Sequence, residues 1–167
     1  MNPKTELIEE ISAHFDEMII KICNQLQKLS PSHYENIDFE RHQEREEDFI
    51  HKVEHYLKIN EPDDLLSYVR YLAEKRSNEG YTLEEVQQAF DIIEKELWRV
   101  ITESSREHKD MINMLRVCRD LFARVRNEFA RTYLKEQLKL QKRMNELKER
   151  FYIYRHDRKD RSENNEP

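Results

Sequence analysis

The sequence predicts an all-α fold from its scarcity of turn residues, its high charge and the spacing of its apolar residues. The 167 residues include 1 glycine and 4 prolines, whereas average usage is about 7% and 5%. Turns in β-rich folds need such residues, and phosphate-binding loops and dinucleotide-binding motifs need two or three glycines. Charged residues make up 38% of the chain, against about 25% in an average protein, as is typical of long solvated helices.

Apolar residues recur at steps of three and four, which places them on one face of each of about five helices. The first helix is predicted over 4–29 and ends before Pro31, because the residue before a proline disfavours the helical conformation. The second helix is predicted over 39–59. The third begins at Pro62, a residue type that suits the first turn of a helix.

The best-defined turn lies between the third and fourth helices. Gly80 is the one glycine of the sequence, and it stands where the end of a helix favours a left-handed residue. Thr82 and Glu85 have the spacing of a capping box, in which each side chain bonds the other residue's backbone N–H. We therefore expect Gly80 to end the third helix and Thr82 to precede the fourth, which covers 83–103.

The fifth helix is the longest, since no glycine or proline occurs between Gly80 and Pro167. It can run from His108 past Tyr152, which at 1.5 Å per residue is roughly 65 Å and too long for one small domain to cover. Its apolar seam keeps heptad spacing apart from one four-residue insertion, a stutter, near Phe129. The later half of the seam consists of Leu140, Met144, Leu147 and Phe151.

These features predict a helical domain at 1–133, a coiled-coil helix at 134–156 and a disordered polar tail at 157–167. The later half of the seam has nothing in the chain to pack against. It therefore needs a partner helix, most simply that of a second copy. We expect a homodimer whose long C-terminal helices form the coiled coil.

Charge is distributed unevenly along the chain. Residues 1–105 hold 12 Lys and Arg against 24 Asp and Glu, whereas residues 106–161 hold 17 against 9. The simplest interpretation is that the acidic part and the basic helix attract each other, within one chain or between copies. Nucleic acid would prefer the basic helix, but the acidic part would repel phosphates, so we expect no nucleic-acid partner.

Localisation follows from two further patterns. The N-terminus is acidic and amphipathic, unlike a secretory signal, and no run approaches 18 apolar residues. We therefore expect a cytoplasmic protein with no membrane partner. Cys23 and Cys118 lie in apolar helical stripes, where a free cysteine acts as a small hydrophobe, and they lack metal-ligand spacing.

The sequence resembles the N-terminal sensor domains of the RsbR-type stressosome proteins, which are co-antagonists of the kinase RsbT. Those domains carry an arginine four residues before a glycine, and an aromatic-Ser/Thr-Leu-x-Glu turn that opens a long helix. Here Arg76, Gly80 and Tyr81–Glu85 lie within LLSYVRYLAEKRSNEGYTLEEVQQAFDIIEKELWRVI. The stretch ARTYLKEQLKLQKRMNELKERF is similar to the family's connecting helix, and the resemblance covers most of 4–150.

The resemblance implies a globin-like helical domain without haem, which dimerises and passes a signal down its last helix. It implies a regulatory function in stress signalling, with a STAS-domain protein or a kinase as a partner. In the stressosome proteins the connecting helix leads into a STAS output domain. This chain ends soon after the helix, so we expect it either to act through a separate partner or to be a structural relic.

Histidines at helical spacing raise the alternative of a metal-binding enzyme in a helical bundle. His51 and His55 lie four residues apart, as do His42 and Glu46, and this spacing can place two ligands on one helix face. The nine residues from His42 to His51 turn a helix by about 900°, so the two pairs face opposite ways. We interpret both pairs as solvated helix faces and expect no metal.

Other cofactors and catalysis have little support in the sequence. The span 56–107 contains no histidine, and His108 stands at a helix start, so haem lacks a proximal ligand near the middle of the fold. Ser104 and Ser105 lack the strand–turn–helix context of a nucleophile elbow. We expect no cofactor and no enzymatic activity. The alternative is a helical-bundle enzyme that binds a metal or a small molecule.

Aromatic residues on or beside the apolar stripes leave two interpretations open. They either pack as an ordinary core or line an apolar pocket for a small ligand, and the sequence does not separate a filled core from a hollow one. The candidates for such a pocket are Phe15, Phe90, Trp98, Phe122 and Phe129.

Overall fold

A computed structural model describes residues 2–29 and 32–163, with side chains as far as Tyr152. These described ranges form six α-helices and no strand, which confirms the predicted all-α class. The helices are α1 (Pro3–Ala13), α2 (Phe15–Leu26), α3 (Phe39–Ile59), α4 (Pro62–Asn78), α5 (Leu83–Glu103) and α6 (His108–Glu163).

Contacts divide the chain into two compact units. We call the first unit, Met1–Tyr133, the body, and the second, Leu134–Pro167, the C-terminal segment. Helix α6 begins in the body and continues to Glu163. The polar tail predicted at 157–167 therefore begins within α6, and its last four residues lie outside the described residues.

The single first helix predicted over 4–29 is wrong, because the structure has two helices there. His14 separates them with φ −119° and ψ 15°, outside the helical region, while its backbone N–H still bonds Glu10 O at 3.2 Å. The apolar spacing does not reveal the break, because Ile11 and Met18 are seven residues apart and both are fully buried. Both helices pack against α3 and α5.

The turn between α4 and α5 is fixed by backbone hydrogen bonds. Gly80 has φ 87°, and the N–H of Tyr81 bonds Arg76 O at 3.0 Å across it. The N–H of Glu85 bonds Thr82 Oγ1 at 3.2 Å, and the Glu85 carboxylate accepts the Thr82 N–H at 2.7 Å. Desolvation opposes ionisation of Glu85, but hydrogen bonds from Thr82 and His33 outweigh it and lower its pKa to about 2.

Ion pairs join the basic residues of the later chain to acidic residues of α1 and α5. Arg106 contacts Glu9 and Glu10 of α1, each at 2.6 Å. Arg126 of α6 contacts Asp91 at 2.6 Å and also Glu94 of α5. These pairs range from exposed to partly buried, and the exposed ones contribute little stability, typically below about 1 kcal/mol each. Their main effect is to favour one arrangement of the helices.

None of the helices in the described ranges is both long and apolar enough to cross a lipid bilayer.

Replacement of Gly80 tests the turn. We expect Gly80→Val to lower the free energy of unfolding by roughly 1–2 kcal/mol or more, because a β-branched residue is strained at positive φ. An added Cβ would lie 3.7 Å from His33 Nε2, an ordinary contact, so the loss would come from the backbone. Urea unfolding measures it.

The matched control is Gly80→Asn, since asparagine tolerates the left-handed region better than valine. We expect it to lose clearly less stability. An unchanged unfolding free energy in Gly80→Val, or an equal loss in both variants, would contradict the assignment of strain to the backbone.

Candidate functional site

Three of the five aromatics that were candidates for a pocket lie in the core of the body. Phe90, Phe122 and Phe129 are at most 2% exposed. The ring of Phe49 packs against Phe90 and Phe122, with centroid separations of 5.8 Å and 6.2 Å, and Phe90 meets Phe129 edge-on at 5.5 Å. These separations are typical of aromatic packing in protein interiors.

The other two predicted aromatics lie nearer the surface. Phe15 is partly buried and stacks on the ring of His51 at 4.9 Å. Trp98 is 41% exposed. Of these five aromatic residues, Phe90 lines a cavity among α3, α4 and α5.

A cavity of about 250 Å³ lies among α3, α4 and α5 of the body. Its apolar lining is Phe49, Leu72, Val86, Ala89, Phe90 and Ile93. The rest of its lining is polar: Tyr34, Glu44, Arg45, Glu46, Asp48, Tyr68, Tyr71, Lys75 and Arg76. Small-molecule sites commonly combine apolar walls with polar groups that fix the orientation of the ligand.

The interpretation of His42 and Glu46 as a solvated face is wrong. His42 is fully buried and Glu46 is 7% exposed, because both continue the buried stripe of Ile50 and Val53 towards the start of α3. The four-residue spacing of positions 42, 46 and 50 could have predicted that His42 and Glu46 are buried. The many charged residues around them favoured a solvated face instead. The second pair, at His51 and His55, is exposed, with side chains 62% and 52% accessible.

Burial of Glu46 changes its protonation. Desolvation raises its pKa to about 7, against the opposing influence of the Arg76 and Arg45 charges. The Glu46 carboxyl group is therefore partly protonated at neutral pH and can then donate a hydrogen bond as well as accept one. No three metal-ligating side chains cluster within the part of the chain that the structure describes.

Arg76 brings a buried positive charge to the cavity. It is 4% exposed, its guanidinium lies 4.7 Å above the ring of Tyr81, and its Nη1 donates to Glu79 Oε2 at 2.6 Å. Its buried Nε has no hydrogen-bond acceptor among the described residues. A buried donor without an acceptor is rare in folded proteins, so the side edge of the guanidinium that carries Nε is unsatisfied.

Tyr81 connects the cavity to α6. Its ring packs on Arg76 and meets the ring of Tyr34 at 5.2 Å, and both of these residues line the cavity. Its backbone carbonyl accepts a 2.8 Å hydrogen bond from the hydroxyl of Tyr133, the last residue of the body. A continuous series of contacts thus runs from the cavity through the turn after Gly80 to α6.

The thiols of the two cysteines have low reactivity. Both are fully buried, and burial raises the pKa of each thiol to about 12. A thiol that stays protonated is a poor nucleophile and a poor metal ligand.

The predicted dimer seam lies in the C-terminal segment, on α6. Within that segment Met144, Leu147 and Phe151 are 56%, 64% and 68% exposed, and Leu140 is of intermediate exposure. They form an apolar stripe on a helix face otherwise rich in charge. An apolar stripe of this kind is typical of a surface that binds another protein.

Comparison with protein families identifies the chain. The family model of the RsbT co-antagonist protein rsbRD N-terminal domain matches residues 53–147, more than half of the sequence. The chain belongs to this family. The match confirms the resemblance to RsbR-type N-terminal domains, and with it a regulatory domain of stress signalling. No curated protein and no solved structure matches the chain.

The RsbRD N-terminal match includes only part of the cavity. The α4 and α5 walls, with Arg76 and Phe90, lie within the matched residues, whereas Arg45 and Glu46 of α3 precede them. The match also includes the turn at Gly80 and the apolar stripe as far as Leu147. The matched residues therefore include the turn, two walls of the cavity and most of the stripe.

The protonation of Glu46 predicts a pH dependence of stability. The pKa of Glu46 in the folded protein is raised above the unfolded value of 4.5. The favourable contribution of Glu46 to the free energy of unfolding is therefore complete below pH 4.5 and is lost as pH rises through about 7. We expect Glu46→Gln, a neutral isostere, to raise the free energy of unfolding at pH 8 by about 2–4 kcal/mol relative to the unmodified protein, and to change it little at pH 5. Urea unfolding at both pH values measures the difference.

The control is Glu47→Gln, one residue along α3 and outside the cavity lining. A gain at pH 8 of the same size in both variants would show that general charge, and not the burial of Glu46, is responsible. Equal stability of Glu46→Gln and the unmodified protein at pH 8 would contradict the raised pKa.

Proposed function

We propose that this protein is a cytoplasmic, non-enzymatic regulatory module that acts as a homodimer and responds to a ligand or a partner protein. In this proposal the body is a globin-like sensor, and the paired C-terminal helices carry the response to a STAS-domain or kinase partner. Membership of the RsbRD N-terminal family supports the regulatory function. The proposal for the dimer is carried by one observation, the exposed apolar stripe.

The spacing and exposure of the stripe favour a partner helix. Leu140, Met144, Leu147 and Phe151 follow one another at steps of 4, 3 and 4, the spacing of core positions in a coiled coil. Burying a side chain of this size is favourable by roughly 1.5–3 kcal/mol. Four from each of two helices give a driving force that exceeds the lower estimates for the cost of association. A second copy supplies a matching stripe by symmetry.

The charges beside the stripe predict how salt affects the dimer. Residues 134–152 hold six Lys and Arg against three Glu, so two copies repel each other through this part of the helix. Salt screens that repulsion and strengthens burial of apolar surface when the salt is sulfate. We expect the dimer to become tighter, not weaker, as salt is added.

The experiment is light scattering of the full chain at micromolar concentration. We expect the mass of two chains of 20.6 kDa for the unmodified protein, and a monomer for Leu140→Glu with Leu147→Glu, because two charges would be placed in the contact. The matched control is Lys142→Gln with Asn145→Glu. It changes the net charge by the same two units at heptad positions on the opposite side of the helix, and should remain a dimer.

Two results would overturn this proposal. A monomeric mass for the unmodified protein would exclude the homodimer. Equal dissociation in the stripe variant and in the control would show that charge, and not the apolar stripe, decides association.

A further inference from the structure

We propose that the cavity among α3, α4 and α5 binds a small organic acid, whose carboxylate is held by Arg76 and Glu46 and whose apolar part lies against Phe49 and Phe90. This deepens the ligand-responsive part of the proposed function by naming the site and the class of ligand. It does not depend on the oligomeric state.

The guanidinium of Arg76 selects a carboxylate. Its face is covered by Tyr81 and its Nη1 is bonded to Glu79, which leaves the side edge formed by Nε and Nη2. A carboxylate meets this edge with two parallel hydrogen bonds. The buried Nε has no acceptor among the described residues, and a buried donor without an acceptor is costly and rare. Because Nε is covered in the free protein, a bound carboxylate supplies the missing acceptor once the side chain shifts to open this edge.

The size and walls of the cavity restrict the rest of the ligand. At about 250 Å³ it is smaller than the cavities of about 300–1,000 Å³ that hold drug-sized ligands. Its apolar side presents two aromatic rings, of Phe49 and Phe90, and the methyl group of Ala89. A single ring or a short branched chain attached to the carboxylate fits this description.

Glu46 makes the site sensitive to pH. When protonated it can donate to the ligand, and when ionised it repels a carboxylate, so binding is expected to weaken as pH rises through about 7. Other charged or titratable groups also line the cavity: Glu44, Arg45 and Asp48 from α3, Tyr68, Tyr71, Lys75 and Arg76 from α4, and Tyr34 from the preceding loop, whereas the lining residues of α5 are apolar.

The test uses benzoate as the probe, with its neutral isostere benzamide and the cationic benzylamine for comparison, titrated into the full chain by calorimetry at pH 6 and pH 8. We expect benzoate to bind at pH 6 with a Kd of about 1 mM or lower. We expect the amide and the amine to bind at least about tenfold more weakly, because they lack the paired acceptors for Arg76.

Variants locate the binding. Arg76→Lys keeps the charge but loses the planar pair of donors, so benzoate affinity should fall about tenfold. Arg70→Lys, on α4 but outside the cavity lining, should leave the affinity for benzoate unchanged.

Ala89→Leu narrows the cavity without touching a polar group and should also weaken benzoate binding. Glu46→Gln should remove most of the difference between pH 6 and pH 8. Urea unfolding of each variant verifies that it folds.

Several outcomes would overturn the inference. They are the absence of saturable benzoate binding at pH 6, a preference for benzylamine, and equal effects of Arg76→Lys and Arg70→Lys. If Arg76→Lys does not fold, an unchanged affinity of Ala89→Leu for benzoate would also contradict the inference. Each of these can occur with the dimer intact, and a monomeric chain can still bind benzoate, so failure here is distinguishable from failure of the proposed homodimer.

Discussion

The left-handed turn at Gly80 determines how the rest of the body is assembled. Gly80 ends the turn after α4 with φ 87°, and the ring of Tyr81 lies over the guanidinium of Arg76. The same residue offers its carbonyl to Tyr133 of α6. The same turn therefore connects a cavity wall, the start of α5 and the end of the body, and an L-residue with a branched side chain at position 80 would strain its backbone.

Unequal charge along the chain has a structural counterpart. The acidic helices and the basic α6 were predicted to attract each other, and within the body Arg126 of α6 does contact acidic residues of α5. In the C-terminal segment Lys139 pairs with Glu136 on the same helix, yet six Lys and Arg outnumber three Glu over residues 134–152. The proposed pairing of that segment therefore depends on apolar contact.

How much the sequence could predict depends on how local each feature is. Helix class, the boundaries near Pro62 and the turn at Gly80 follow from residues close together in sequence, and those segments form where local chemistry favours them. The break at His14 was missed because the apolar stripe continues through it. The sequence left an apolar pocket open and named Phe90 for it, but not the polar lining, since Arg76 and Glu46 come from two different helices. A buried glutamate in a charged stretch looks like a solvated one until tertiary packing is known.

The burial of Cys23 and Cys118 has a practical consequence. They are the two cysteines of the sequence, and both thiols remain protonated and covered at neutral pH. Maleimides and spin labels react with exposed thiolates, so the native protein presents almost no target for them. A single cysteine introduced on the outer face of α6 would carry a probe at one chosen site without removal of the native pair, and distances between labels on two copies could then be measured in the otherwise unaltered chain.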